Sequence, residues 1–311
     1  MNILYLAAGS QKWGMGHLKR SKFVIDCLRV EKQKVTAIAI IPDDRNIGLS
    51  KAISGYDHFV TGLASIKNKI FDGVIVDVHT DFQPEVFKWL KKQNRPTVGL
   101  DWYSKTDGVI TQTVNLRGGA KVLKFALIRK EILKQTVQKK RTFDAVAVLG
   151  GKDSRGYLDK LLKIFVEDDF YKNKKIIFVV GPMVKGKISE FVGHKKGPVT
   201  ILRNPERLPE IMAKTKVGLT NGGTSLMEFT RLGVPTIVFP QSKQEENFIP
   251  VFLRQGGSLR GSMNPRHLQQ QLLNLWEDER LWEKKSQKAK QLIDGRGVKR
   301  TVQKILKVFR K

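Results

Sequence analysis

Cysteine is nearly missing from the chain: Cys27 stands alone among 311 residues. One thiol forms no internal disulfide and no cysteine-rich metal site, which suits a reducing, cytosolic setting. No apolar run approaches the roughly 20 residues that a membrane-spanning helix needs. The start, Met1–Ala8, is apolar but has no basic stretch ahead of it, and it reads as a first strand rather than a signal peptide. Histidine is scarce, five in all, and no two stand at metal-ligand spacing. Asp-x-Asp, the signature of a metal-bound diphosphate, is absent, as are a P-loop and the Gly-x-Ser-x-Gly elbow of serine hydrolases. Acidic residues are also few: 29 Asp and Glu face 57 Lys and Arg, a formal net charge of +28.

Such an excess calls for a polyanionic neighbour, an anionic membrane surface or an acidic ligand. It is spread along the chain, with 24 basic and 12 acidic residues in positions 1–140 and 33 and 17 in the remainder. A nucleic-acid arm would be a block of charge, and no aromatic RNA-stacking motif accompanies it, so nucleic acid is not an expected partner. A generally basic solvated surface fits the same numbers. Hydrophobic residues make up 41% of the chain, enough for real cores and too many for a disordered chain. The length suits two domains.

The pattern of apolar runs gives their class. Short continuous runs at Asn2–Ala7, Val35–Ile41, Val74–Val78 and Thr97–Leu100 read as buried parallel strands. Between them lie a helix bearing Leu18, Val24, Ile25 and Leu28 on one face and another over Pro84–Gln93. The alternation restarts with strands at Ala145–Leu149, Ile176–Val180, Thr200–Leu202, Val217–Thr220 and Thr236–Phe239. Helices are expected at Tyr157–Phe165, Leu208–Lys214, Ser225–Leu232 and through most of the tail from His267. This order means two doubly wound α/β, Rossmann-like domains facing a cleft, with ligands beyond the carboxyl ends of the strands. The basic stretch Lys134–Thr142 marks the break, giving domains 1–138 and 139–311.

Two loops carry the chemistry. Gly14-Met15-Gly16-His17 follows the first strand and opens a helix, where unpaired N–H groups and a partial positive charge collect. As a dinucleotide fingerprint it is weak, because Lys19 stands where a third glycine belongs and Pro42 follows the second strand in place of an acidic residue. A helix start disfavours an imidazolium, so His17 is expected there neutral and able to accept a proton; a histidine that only caps its own helix is the alternative. The second loop, Asn221-Gly222-Gly223-Thr224-Ser225, is again a strand-to-helix turn whose N–H and hydroxyl groups suit a phosphate or pyrophosphate. Glu228, one turn on, can bind a diol such as the ribose hydroxyls; an ordinary glycine turn with a surface Glu is the alternative. Gly150-Gly151 ends another strand beside the same expected cleft. Asp77 and His79 follow a strand end, and Asp77 is either a catalytic partner or a satisfied structural carboxylate.

Six segments in order resemble one family: GMGHLKRS at Gly14–Ser21, VDVHTDF at Val76–Phe82, ALIRKEI at Ala126–Ile132, LGGKDSRG at Leu149–Gly156, NGGTSLMEFTRLGVPTIVF at Asn221–Phe239 and IDGRGVKR at Ile293–Arg300. The chain resembles the PseG/SpsG group, the UDP-sugar hydrolase of pseudaminic acid synthesis and its spore-coat-polysaccharide relatives, which share the GT-B fold of nucleotide-sugar glycosyltransferases. Its C-terminal part is also similar to the UDP-binding domain of the lipid-linked peptidoglycan glycosyltransferase. The resemblance implies His17 as general base, with Asp77 beside it as a catalytic candidate. It implies substrate contacts from Gly14, Gly16, Arg20, Gly151, Asn221, Gly222, Gly223, Thr224, Ser225, Glu228, Gln244 and Glu245. It departs from the family where Lys243-Gln244-Glu245 replaces Glu-Asn-Gln, Asp77-Val78-His79 replaces Asp-His-Tyr and Asp101-Trp102 replaces Asp-Asp, all on the sugar side.

The resulting expectation is an enzyme that takes a UDP-sugar, without cofactor or metal, in surface-glycan or nonulosonic-acid-type biosynthesis. The leading expectation is that water attacks, which makes it a hydrolase that inverts the anomeric centre and releases UDP, with a transferase as the alternative. If an acceptor hydroxyl attacks, the same parts make a GT-B glycosyltransferase with a lipid-linked or polymeric acceptor. The His17 motif favours the first and the basic charge the second. The setting is cytoplasmic, with peripheral contact at the anionic inner face of the membrane. Turnover is expected to survive EDTA, because a helix N-terminus replaces the cation at the diphosphate; a loss in chelator that Mg²⁺ or Mn²⁺ restores would overturn that reading of the loop.

Overall fold

A computed structural model of the chain describes all residues except 11–13, 43–53, 67–69, 105, 117, 137–140 and 185. It divides into two compact units: Met1–Arg129 with Arg296–Lys311, and Lys130–Gly295.

Unit 1 opens with β1 (Asn2–Ala8), helix α1 (Gly16–Val30), β2 (Lys34–Ile40) and β3 (His58–Val60), then β4 (Gly73–Asp77), α2 (Gln83–Leu90), β5 (Thr97–Leu100) and β6 (Gln112–Val114). The strands form one sheet in the order β3-β2-β1-β4-β5-β6, parallel throughout. β1 and β4 sit at its centre, so both faces are covered and their side chains are buried almost without exception, as continuous apolar runs require. α1 lays Leu18, Ser21, Val24, Ile25 and Leu28 inward, the three- and four-residue spacing of one helix face.

Unit 2 runs β7 (Phe143–Val148), α3 (Tyr157–Glu167), β8 (Ile176–Val180), β9 (Lys195–Lys196), β10 (Val199–Arg203), α4 (Leu208–Ala213), β11 (Thr215–Thr220), α5 (Thr224–Arg231), β12 (Thr236–Val238), α6 (Lys243–Phe248), α7 (Pro250–Arg254), β13 (Ser258–Arg260), α8 (Pro265–Glu277) and α9 (Glu279–Leu292). Its sheet has the order β13-β12-β11-β7-β8-β10-β9. Only the two-residue β9 runs antiparallel, pairing with β10. Phe165, Tyr171, Phe178 and Trp276 anchor the core on one face.

The last helix, α10 (Gly297–Phe309), returns to unit 1. This corrects the expected division, which left residues 296–311 with the C-terminal domain; the expected boundary at 138/139 lies outside the described residues. The reason is packing. α10 buries Thr301, Val302, Ile305 and Leu306 along one stripe, and Arg300 donates to the Lys124 carbonyl at 3.0 Å. A Cβ at Gly297 would collide with the Ala126 carbonyl, and one at Gly73 would lie 2.5 Å from the Phe309 ring. Glycine at 73 is therefore what lets the end of α10 close on β4. Gly73→Ala is expected to destabilise the protein by about 1–3 kcal/mol through overpacking, read as a fall in urea midpoint, with Phe309→Leu recovering part of the loss in the double variant.

Candidate functional sites in the two units

In unit 1 the chain leaves β1, turns through Gly14, whose φ of 77° is the left-handed region that glycine favours, and enters α1. The helix starts with no side-chain cap and no acidic residue in its first turn, so its terminal N–H groups face the loop. His17, Arg20 and Ser21 fall on one face at three- and four-residue spacing. That face meets Asp77, the last residue of the adjacent strand β4. His17 Nδ1 lies 2.7 Å from Asp77 Oδ1. Arg20 Nε donates to both carboxylate oxygens, at 3.1 and 2.9 Å, and Ser21 Oγ donates to Oδ2 at 2.9 Å. Arg20 Nη1 reaches a second carboxylate, Asp101 Oδ2, at 2.7 Å.

Asp101 follows β5 with a φ of 49°. Its Oδ1 accepts from Leu116 N at 2.7 Å and from the Tyr103 hydroxyl at 3.3 Å, and its carbonyl accepts from Gln83 Nε2 at 3.0 Å. Arg20 is therefore clamped between carboxylates at two neighbouring strand ends, with Asp77 fully buried and Arg20 3% exposed. Burial alone would raise the Asp77 carboxyl; the Arg20 charge, the neighbouring His17 ring and the hydrogen bonds of both more than reverse this and hold it well below the usual carboxylate range. Burial likewise works against the Arg20 charge, and Asp77 and Asp101 overcome it and raise its pKa.

His17 Nδ1 faces both the Asp77 carboxylate and Arg20 Nη2, the latter 3.1 Å away, and these contacts orient the ring and make His17 a candidate general base. His79 lies beside it, edge to face with ring centroids 6.1 Å apart, its Nδ1 accepting from Asp81 N at 3.2 Å.

In unit 2 the glycine loop joins β11 to α5. α5 also begins without a side-chain cap or an acidic first turn, so its start is fit for an anion. Glu245, on α6, holds this loop: its Oε1 accepts from Asn221 Nδ2 at 2.6 Å, and its Oε2 accepts from Gly222 N at 3.2 Å and Gln241 N at 2.7 Å. A Cβ at Gly222 would lie 2.7 Å from Glu245 Cβ, so only glycine lets α6 approach this closely. Gln241 extends the tie, donating to Leu149 O at 2.9 Å and accepting from Ser154 N at 2.7 Å and Ser154 Oγ at 3.0 Å. The loops after β7, β11 and β12 are thus stitched together at the carboxyl edge of the sheet.

Three sequence expectations change on this geometry. Asp77, expected as a catalytic residue, is fully enclosed and has its oxygens engaged by His17, Arg20 and Ser21. Arg20, expected on the substrate, has its guanidinium committed to Asp77 and Asp101. Glu245, also expected on the substrate, has both oxygens engaged by the loop. Gly14, Gly16 and His17 stand together in unit 1. Gly151, Asn221, Gly222, Gly223, Thr224 and Ser225 line the unit 2 loops. Gln244 is exposed on α6, and Glu228 is buried one turn inside α5. Ser21, Asp101 and Gln241 were missed as parts of the site. The signal for the first was its four-residue spacing from His17; for Asp101 it was a carboxylate directly after a strand, as at Asp77.

Two parallel-sheet units with these loops define a GT-B glycosyltransferase fold. The profile described as the glycosyltransferase family 28 C-terminal domain matches residues 145–300, half of the chain. The chain belongs to that family and is an enzyme with the fold of nucleotide-sugar-dependent glycosyltransferases. MurG of Acinetobacter baumannii superposes with a TM-score of 0.66 at 12% identity, covering 98% of this chain and 99% of MurG. The glycotransferase of kitacinnamycin gives 0.70 at 13%, with 99% and 98% covered. UGT2 of Phytolacca americana, complexed with UDP-2-fluoro-glucose and pterostilbene, gives 0.66 at 13%, with 99% and 100% covered. At these identities the likeness is one of fold. No curated protein matches the chain in sequence.

Asp77→Asn removes the charge that faces buried Arg20 and is expected to cost about 3–5 kcal/mol. Because the folded carboxyl is held low, its contribution is complete above about pH 4 and is lost as pH falls and the unfolded chain alone takes up the proton. Urea unfolding across pH should show the wild-type advantage shrinking on acidification. An advantage unchanged down to pH 2 would argue against the ion pair.

Proposed function

We propose that this protein is a glycosyltransferase that uses a UDP-sugar donor held by unit 2 and His17 of unit 1 as general base. The observation that carries the reading is the family 28 C-terminal match over residues 145–300, which contains the whole Gly222–Ser225 loop. In this reaction the acceptor hydroxyl attacks the anomeric carbon. The bond from that carbon to the diphosphate oxygen breaks with inversion, the electron pair leaves on UDP, and the hydroxyl proton goes to His17 Nε2. N–H groups at the start of α5 stabilise the departing charge, and Glu228 takes the ribose hydroxyls. General-base catalysis by His17 contributes roughly 10²–10⁴ in rate. A lipid-linked or polymeric anionic acceptor suits the +28 charge, which also favours peripheral contact with an anionic membrane.

A second reading is kept for one reason. The GMGHLKRS segment, with His17 on Asp77 at 2.7 Å, fits the PseG/SpsG-type hydrolase, in which water takes the place of the acceptor and no vesicle or polymer is needed.

A panel of UDP-sugars, each with and without acceptor-bearing anionic vesicles, separates the two by UDP release and product capture. UDP release that depends on acceptor supports the transferase, and equal release without acceptor supports the hydrolase. His17→Ala is expected to lower turnover by 10²-fold or more on this scale while UDP affinity, measured by calorimetry, stays within about twofold. Equal loss of both would remove His17 from the base role.

A further inference from the structure

The glycine loop of unit 2 contains a polar atom that none of the interactions above uses. Asn221 is 9% exposed. Its Nδ2 donates to Glu245 Oε1 at 2.6 Å, a short charge-assisted bond that fixes which end of the amide is nitrogen. Its Oδ1 therefore points elsewhere, and it has no hydrogen-bond partner among the described residues. Buried acceptors without a donor are rare and call for an explanation. A Cβ at Gly223 would lie 3.3 Å from Oδ1, and one at Gly150 would lie 3.2 Å from Nδ2; with glycine at both positions the amide stays uncrowded on the side of the loop.

The chemistry of the missing donor follows from the atom. Phosphate oxygens are acceptors, so Oδ1 does not serve the diphosphate itself. An amide carbonyl in this place reads an O–H group. We propose that Asn221 Oδ1 accepts a hydrogen bond from a hydroxyl of the bound nucleotide sugar and so selects donors that carry it. The proposal rests on the UDP-sugar reading of unit 2. Glu245 is the positioning residue for this contact. Its carboxylate turns the amide and holds the Gly222 N–H in the same grip, so the loop is set before the donor arrives, and the donor alone completes the network. A site built to pair a hydroxyl discriminates against the analogue that lacks it, because the buried acceptor is then left unmatched.

The test is a mutant-by-analogue cycle measured by calorimetry on the full chain. Wild type and Asn221→Ala are titrated with UDP, 2′-deoxy-UDP and 3′-deoxy-UDP for the ribose source. They are then titrated with the UDP-sugar that the panel above selects, and its monodeoxy analogues, for the sugar source. For one hydroxyl, wild type is expected to prefer the complete ligand by about 3- to 10-fold, the range of a neutral hydrogen bond, and Asn221→Ala is expected to bring that ratio close to one. The analogue that shows the coupling names the source. Asn221→Ser, which keeps a hydroxyl but lacks reach, serves as the second variant if Ala fails to fold, with the same expected loss of preference. An equal loss of affinity for every ligand, with all ratios unchanged in the variant, overturns the proposal and leaves Asn221 a loop-holding residue. Absence of any UDP or UDP-sugar binding by wild type overturns the functional reading of unit 2 and this proposal with it.

Discussion

The clamp of Arg20 between Asp77 and Asp101 is the constraint on which the candidate base of unit 1 depends. Three side chains from α1 converge on one carboxylate at the end of a central strand, and the guanidinium passes on to a second carboxylate at the next strand. Neither acid nor guanidinium would be tolerable at this depth alone. Together they fix the loops after β1, β4 and β5 relative to one another. The position of the His17 ring follows from this, since its Nδ1 has only one orientation that satisfies Asp77. The orientation of His17 is thus a by-product of how a buried charge is neutralised. Tyr5, also buried, has its hydroxyl pKa raised well above the ordinary value by burial and by Asp77, which keeps it a neutral part of the surroundings.

Unit 2 solves a related problem with the opposite economy of charge. Here a single carboxylate, Glu245, gathers backbone N–H groups and one side-chain amide. The N–H groups at the start of α5, beyond Gly222, are left without a side-chain cap. A negative group therefore shapes a loop that is still suited to a negative ligand, because Glu245 takes only the near edge of the loop.

The strands were legible in the sequence because parallel-sheet cores are written as unbroken apolar runs: IIFVV at 176–180 became β8 with no change of boundary. The strands it did not reveal, β3, β6, β9 and β13, are two or three residues each and form the sheet edges, where exposed and half-exposed side chains blur the pattern. The glycine loops and His17 could be read because glycine at a strand-to-helix turn has a local cause. The roles of Asp77, Arg20 and Glu245 could not. Their partners stand 57, 81 and 24 positions away along the chain, and no local periodicity encodes which carboxylate meets which donor. The same limit explains α10, whose apolar stripe announced burial but not the unit that would bury it.

The return of α10 has a consequence for the order in which the protein can be made. Unit 2 is one continuous stretch, whereas unit 1 lacks a packing element until Gly297–Phe309 emerges. During synthesis, the first 129 residues must wait with the edge of β4 at Gly73 and the backbone near Ala126 uncovered while the following 166 are translated. Unit 2, though second in the sequence, is thereby the first able to complete its own core on the ribosome. The N-terminal unit, with its buried ion cluster, is finished only once α10 has left the exit tunnel.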